Sequence, residues 1–100
     1  MKKRFILLVD NTTADQNKAF RDFVEASGLN WWHWISNAWL LIDQKGTWKA
    51  SQLRDKAKEV YPGENTFVAE LRPDDDTWSG FGPSTEKRNM FKWIEQNWKK

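Results

Sequence analysis

Two segments of this 100-residue chain are apolar without a break: Phe5-Ile6-Leu7-Leu8-Val9 and Trp39-Leu40-Leu41-Ile42. Branched and aromatic residues of this kind favour extended backbone. Successive side chains of a strand point to opposite faces, so a sheet with one wet face alternates apolar and polar residues. Neither segment alternates. Both read as interior strands that need cover on both faces, because a bare reverse side would be a large exposed apolar patch.

The rest of the chain supplies elements to build around them. Arg4 to Val9 is the first strand, closed by Asp10-Asn11. Thr13-Ala14-Asp15-Gln16 has the spacing of a capping box. The helix it opens carries Ala19, Phe20, Phe23 and Val24 on its predicted inner face, and Gly28 stands where a helix ends. Trp31 to Ile35 and Trp39 to Ile42 are strands joined by a tight Ser36-Asn37 turn. A second helix runs from Ala50 to Tyr61 with Leu53, Ala57, Val60 and Tyr61 inward, and Pro62-Gly63 stops it. Thr66 to Leu71 is the fourth strand, with Phe67, Ala69 and Leu71 on one side. Residues 72–84, rich in Asp, Gly and Pro, read as a loop, and 85–99 as an appended helix with Met90, Phe91, Ile94 and Trp98 on one face.

The order βαββαβ plus a final helix is that of an α+β, ferredoxin-like domain, a single unit over 1–100 with an antiparallel sheet. Right-handed crossovers place the two main helices on one face. The reverse face then needs either the C-terminal helix or a second copy. The expectation is a homodimer, with the C-terminal segment at its edge.

Composition narrows the chemistry. Without cysteine there is no disulfide or thiolate site, which suits a reducing compartment. The start MKKRFILLVD holds too short an apolar run for a signal sequence, and no stretch is long enough for a transmembrane helix. The expectation is a soluble, cytoplasmic protein with no membrane partner. Net charge is +2 and the isoelectric point about 9.0. Lys2, Lys3 and Arg4 open the chain, and Lys87, Arg88, Lys92, Lys99 and Lys100 gather at its end. Such runs are commonly solvated surface. The sharper reading is a basic face that attracts phosphate.

Eight tryptophans in so short a chain are the second constraint. Trp31, Trp32, Trp34 and Trp39 crowd around His33, the one histidine. Alternation sends Trp32 and Trp34 to one face and Trp31, His33 and Ile35 to the other. One set enters the core, and the other needs a lid, an interface or a ligand. Aromatic residues on a sheet stack nucleobases in several folds, and they also fill dimer interfaces. His33 suits a stacking partner or a general base, or a packed strand residue with a local hydrogen bond. Trp78-Ser79-Gly80-Phe81-Gly82-Pro83 is an aromatic, glycine-rich loop without the phosphate-loop signature. Asp74-Asp75-Asp76 lacks calcium-loop spacing and reads as a solvated turn.

Three segments together resemble the small proteins of the SinR family. They are the opening strand ending in Asp10, the tract Leu29-Asn30-Trp31-Trp32-His33-Trp34-Ile35-Ser36-Asn37-Ala38-Trp39-Leu40-Leu41-Ile42 with Ala50 to Lys56, and Trp78-Ser79-Gly80-Phe81. That family is similar in fold to the CRISPR-associated integration accessory endoribonucleases and the VapD-type ribonucleases, which are ferredoxin-like homodimers. The resemblance implies that Asp10 matches the position where an aspartate of the CRISPR-associated relatives binds a divalent metal at the dimer axis. A nuclease of that kind would hold Mg²⁺ between two copies of Asp10. The plainer reading of Asp10 is a strand end forming a turn into the helix.

Three functions follow as expectations. The first is a non-catalytic binding protein with no cofactor. It engages a nucleotide, RNA or DNA through Asn11, Trp31, Trp32, His33, Trp34, Trp78, Phe81, Arg88 and Lys92. A compact protein of that sort suits a phage counter-defence role, sequestering a nucleotide signal or blocking a nucleic-acid-handling complex. The second is a Mg²⁺-dependent endoribonuclease using Asp10. The third is an interaction module whose aromatic surface docks a protein target.

Overall fold

The computed structural model describes residues 2–71, 89 and 92–98. Within them the chain is α+β. Strand β1 (Lys3–Val9) is followed by helix α1 (Ala14–Ala26), β2 (Asn30–Ile35), β3 (Ala38–Asp43), α2 (Ala50–Val60) and β4 (Thr66–Leu71). A short π-helical turn, Ile94–Trp98, lies near the C-terminus. The four strands form one antiparallel sheet in the order β2-β3-β1-β4. The two unbroken apolar segments are its central strands, as their lack of alternation required.

Both helices cover one face. Phe5, Leu7 and Val9 of β1 and Trp39 and Leu41 of β3 join Phe20 and Val24 of α1 and Leu53, Ala57 and Tyr61 in one buried cluster. Phe20 is its hub, with ring centroids 5.0 Å from Trp39 and 5.9 Å from Tyr61. Helix α1 departs from expectation at Ala19, which is exposed. Half-buried Asn17 lies one turn before Phe20 and accepts the Tyr61 hydroxyl at 2.8 Å on Oδ1.

The ends of α1 are set locally. Thr13 and Gln16 form the expected capping box: the Thr13 hydroxyl accepts from Gln16 N–H, and Gln16 Oε1 accepts from Thr13 N–H. At the other end Gly28 N–H reaches Glu25 O and Leu29 N–H reaches Val24 O. These are the two bonds of a Schellman motif. Gly28 has φ +75°, a left-handed conformation that glycine adopts without cost.

Among the described residues, the reverse face is covered at one end and exposed at the other. Trp32 and Ile94 are buried against each other, with Leu40, Trp93 and Trp98 around them. Lys2 Nζ donates to Asn97 O at 3.1 Å, and Arg4 Nε donates to Trp98 O, with the guanidinium 5.9 Å from the Trp98 ring centroid. Cations on the last carbonyls of a helical turn are favourably placed. Two of the opening basic residues therefore fasten the C-terminal segment, and Lys3 donates to Trp48 O at 2.9 Å. At the opposite end of this face Leu8, Ile35 and Phe67 stay 40%, 52% and 59% exposed.

Of the expected helix over 85–99, the structure describes residues 89 and 92–98. Asn89 sits in an isolated β-bridge, and helical geometry covers 92–98. Asn89 Oδ1 accepts from Lys92 N–H at 3.0 Å, so its side chain acts as a cap three residues ahead. The expected loop at 72–84, and Met90 and Phe91 on the predicted inner face, lie outside the described residues. Among the described residues, no helix is long and apolar enough to cross a membrane.

Candidate functional site: an aromatic groove along the edge strand

Strand β2 is an edge strand, and a groove of about 680 Å³ runs along it. Trp31, Trp32, His33 and Trp34 line it, with Trp93 from the C-terminal segment and Glu25 from the end of α1. Residues of both strand faces contribute because the groove follows the edge.

The local register explains the arrangement. Trp32 pairs with Leu40 and Ile35 with Ala38, so His33 and Trp34 stand opposite the single residue Trp39. This is a β-bulge. It reverses the phase of Ile35, which lies on the same face as Ala38, Leu8 and Phe67. Strict alternation had put Ile35 with Trp31 and His33. The Ser36-Asn37 turn contains no residue of positive φ. Such a two-residue turn matches strand twist poorly, and the neighbouring bulge takes up the mismatch.

The four consecutive residues have different environments. Trp31 packs half-buried on the helix-side core, its ring centroid 5.8 Å from Trp39. Trp32 is buried beneath Ile94 on the reverse face. Trp34 keeps 37% of its surface exposed. His33 stacks flat on Trp39, with 3.8 Å between centroids and 1° between planes. Its Nε2 lies 3.0 Å from Ser36 O. A carbonyl only accepts, so Nε2 carries the proton and Nδ1 is an acceptor. Burial lowers the imidazole pKa, the Ser36 carbonyl partly opposes this, and the Arg21 charge lowers it further. The site therefore favours the neutral imidazole.

A hydrogen-bonded chain ties this residue to the core. Thr12 Oγ1 donates to the same Ser36 carbonyl at 3.2 Å and accepts from Asn17 Nδ2 at 3.0 Å. Asn17 in turn holds the Tyr61 hydroxyl. Burial pushes the Tyr61 pKa up to about 12, and the nearby Trp39 N–H opposes this weakly. Trp39 Nε1 is buried, and its approach to Tyr61 does not reach hydrogen-bond geometry. Sequence reading missed Thr12, Asn17 and Ser36. The sequence carries no signal for Thr12 and Asn17, which stand among polar neighbours in Asn11-Thr12-Thr13 and Gln16-Asn17-Lys18.

Asp10 and Asn11 lie elsewhere, at the end of β1. Asn11 donates to Glu64 Oε1 through both N–H and Nδ2, each at 3.1 Å. Asp10 Oδ2 accepts from Asn65 Nδ2 at 2.8 Å. Among the described residues no three His, Cys, Asp or Glu side chains gather as a metal cluster. Lys92 is exposed and precedes Trp93 at the groove. Trp78, Phe81 and Arg88 lie outside the described residues. Compared with protein-family profiles, curated proteins and solved structures, the chain finds no match.

Proposed function

We propose that the chain is a non-catalytic binding protein whose β2 groove takes the base of a nucleotide or of single-stranded nucleic acid. The observation that carries this reading is the gathering of Trp31, Trp32, His33, Trp34 and Trp93 around one groove. Aromatic faces stack bases with little sequence preference. A neutral His33 offers a hydrogen-bond acceptor without the cost of desolvating a charge. Glu25 on the α1 rim repels phosphate, so the sugar-phosphate end lies toward Lys92. The ferredoxin-like reading belongs to this proposal too, supported by the βαββαβ order and the central placement of β1 and β3. The SinR-like resemblance belongs to it as well and rests on three segments together: the opening strand ending in Asp10, the tract from Leu29 to Ile42 with Ala50 to Lys56, and Trp78-Ser79-Gly80-Phe81.

Titration of tryptophan emission with AMP, UMP and a short single-stranded oligonucleotide tests the reading. Saturable quenching is expected, weakened roughly tenfold by Trp34→Ala, the usual scale for losing one stacking ring. Emission unchanged at millimolar nucleotide removes it.

A further inference from the structure

A second pocket, of about 330 Å³, opens at the far end of the sheet. Its apolar wall is Leu8, Ile35 and Phe67, the most exposed large apolar side chains among the described residues. They come from three different strands, and the pairing of Leu8 with both Ala38 and Phe67 sets them side by side. Its polar rim is Asp10, Asn37 and Asn65.

The rim is biased toward accepting hydrogen bonds. Asn37 Nδ2 donates to Val9 O at 2.9 Å and to Asp10 O, so both its hydrogens are engaged inside the protein. Asn65 Nδ2 holds Asp10 Oδ2. Among the described residues, Asp10 Oδ1, Asn37 Oδ1 and Asn65 Oδ1 have no protein partner, and Asp10 forms no ion pair. One carboxylate and two amide side chains with unengaged oxygens thus rim a pocket whose other wall is a phenyl ring and two aliphatic side chains.

We infer that this pocket binds the side chain of an arginine presented by a peptide or protein. A guanidinium carries only donors, which match the acceptor rim. It pairs with a carboxylate through planar N–H groups and stacks on aromatic faces. Its three methylenes cover Leu8 and Ile35 while the charged head stays at the rim. A second copy of the chain is the rival occupant, and a divalent cation on Asp10 is another.

Amide-resolved NMR of the full chain separates them. A capped Ala-Arg-Ala peptide is expected to shift the signals of Leu8, Asp10, Asn37 and Phe67. The citrulline counterpart, neutral but of the same shape, is expected to leave them in place. Asp10→Asn keeps the acceptor for Asn65 and should weaken arginine binding about fivefold, the upper scale of an exposed ion pair. Phe67→Ala changes an exposed residue and should weaken it about as much. Equal shifts from the citrulline peptide, or no effect of Asp10→Asn, would overturn the inference. So would dilution-dependent shifts of these four signals, which assign the pocket to a second copy, or displacement of the peptide by Mg²⁺.

Discussion

At the scale of single residues, two ionisable side chains record how this core is built. The folded state lowers the His33 pKa below its ordinary 6.5. The unfolded chain therefore takes up the proton first as pH falls, and stability drops from about pH 6.5 downward until the folded form also protonates. Urea unfolding between pH 7.5 and 5 should show that decline, and His33→Gln should flatten it. An unchanged slope in the variant would mean the burial of His33 contributes nothing. Tyr61 acts at the other end of the scale. Its pKa of about 12 exceeds the ordinary 10.0, so the unfolded state loses its proton first. Stability should fall between pH 10 and 12 by about 2–3 kcal/mol, as a two-unit shift implies. Tyr61→Phe should remove that loss while costing about 1 kcal/mol at pH 8 for the bond to Asn17. The inward place of Tyr61 was legible from helical spacing. The role of Asn17 was not, because a polar residue in an amphipathic helix gives no sign of which buried hydroxyl it meets.

At the scale of elements, what could be read depended on the range of the interaction. The Thr13-Gln16 box and the Gly28 stop lie within four residues of what they satisfy, so spacing alone located both. The bulge at His33 and Trp34 depends on how β2 meets β3, and the alternation of β2 by itself gave the wrong side for Ile35. Asn89, inside the expected last helix, sits in a β-bridge for a similar reason: extended pairing is a tertiary choice that helical periodicity does not encode. The local devices carry measurable energies. Thr13→Ala should cost about 1 kcal/mol by leaving the Gln16 N–H without its cap. Gly28→Ala should cost about the same, because a Cβ there meets no atom within 4 Å and only the left-handed backbone is strained. Urea midpoints of the two variants are the measurement. A loss well above 2 kcal/mol at Gly28 would place close neighbours where the structure has open space.

At the scale of the whole molecule, the question is what hides a sheet that is apolar on both faces. The central strands demanded cover, and a second subunit was the expected source. The chain supplies part of it from its own C-terminal segment. Ile94 and Trp93 lie on Trp32, and Lys2 and Arg4 hold the end of that segment by its carbonyls. Sequence left this choice open because either solution buries the same residues. The two ends of the reverse face should therefore respond differently to truncation of an apolar side chain. Ile94→Ala removes atoms from a closed contact and should cost about 2–4 kcal/mol. Emission from Trp32 should shift to longer wavelength as water reaches it. Leu8→Ala removes a side chain already 40% exposed and should change stability by no more than about 0.5 kcal/mol in a lone subunit. Urea unfolding at micromolar and at millimolar protein distinguishes the sources of cover. If the cost of Leu8→Ala grows with concentration until it rivals that of Ile94→Ala, a second copy is closing the open end of the sheet. If it stays small while Ile94→Ala stays costly, the C-terminal segment is the lid, and Leu8, Ile35 and Phe67 are free to receive a partner.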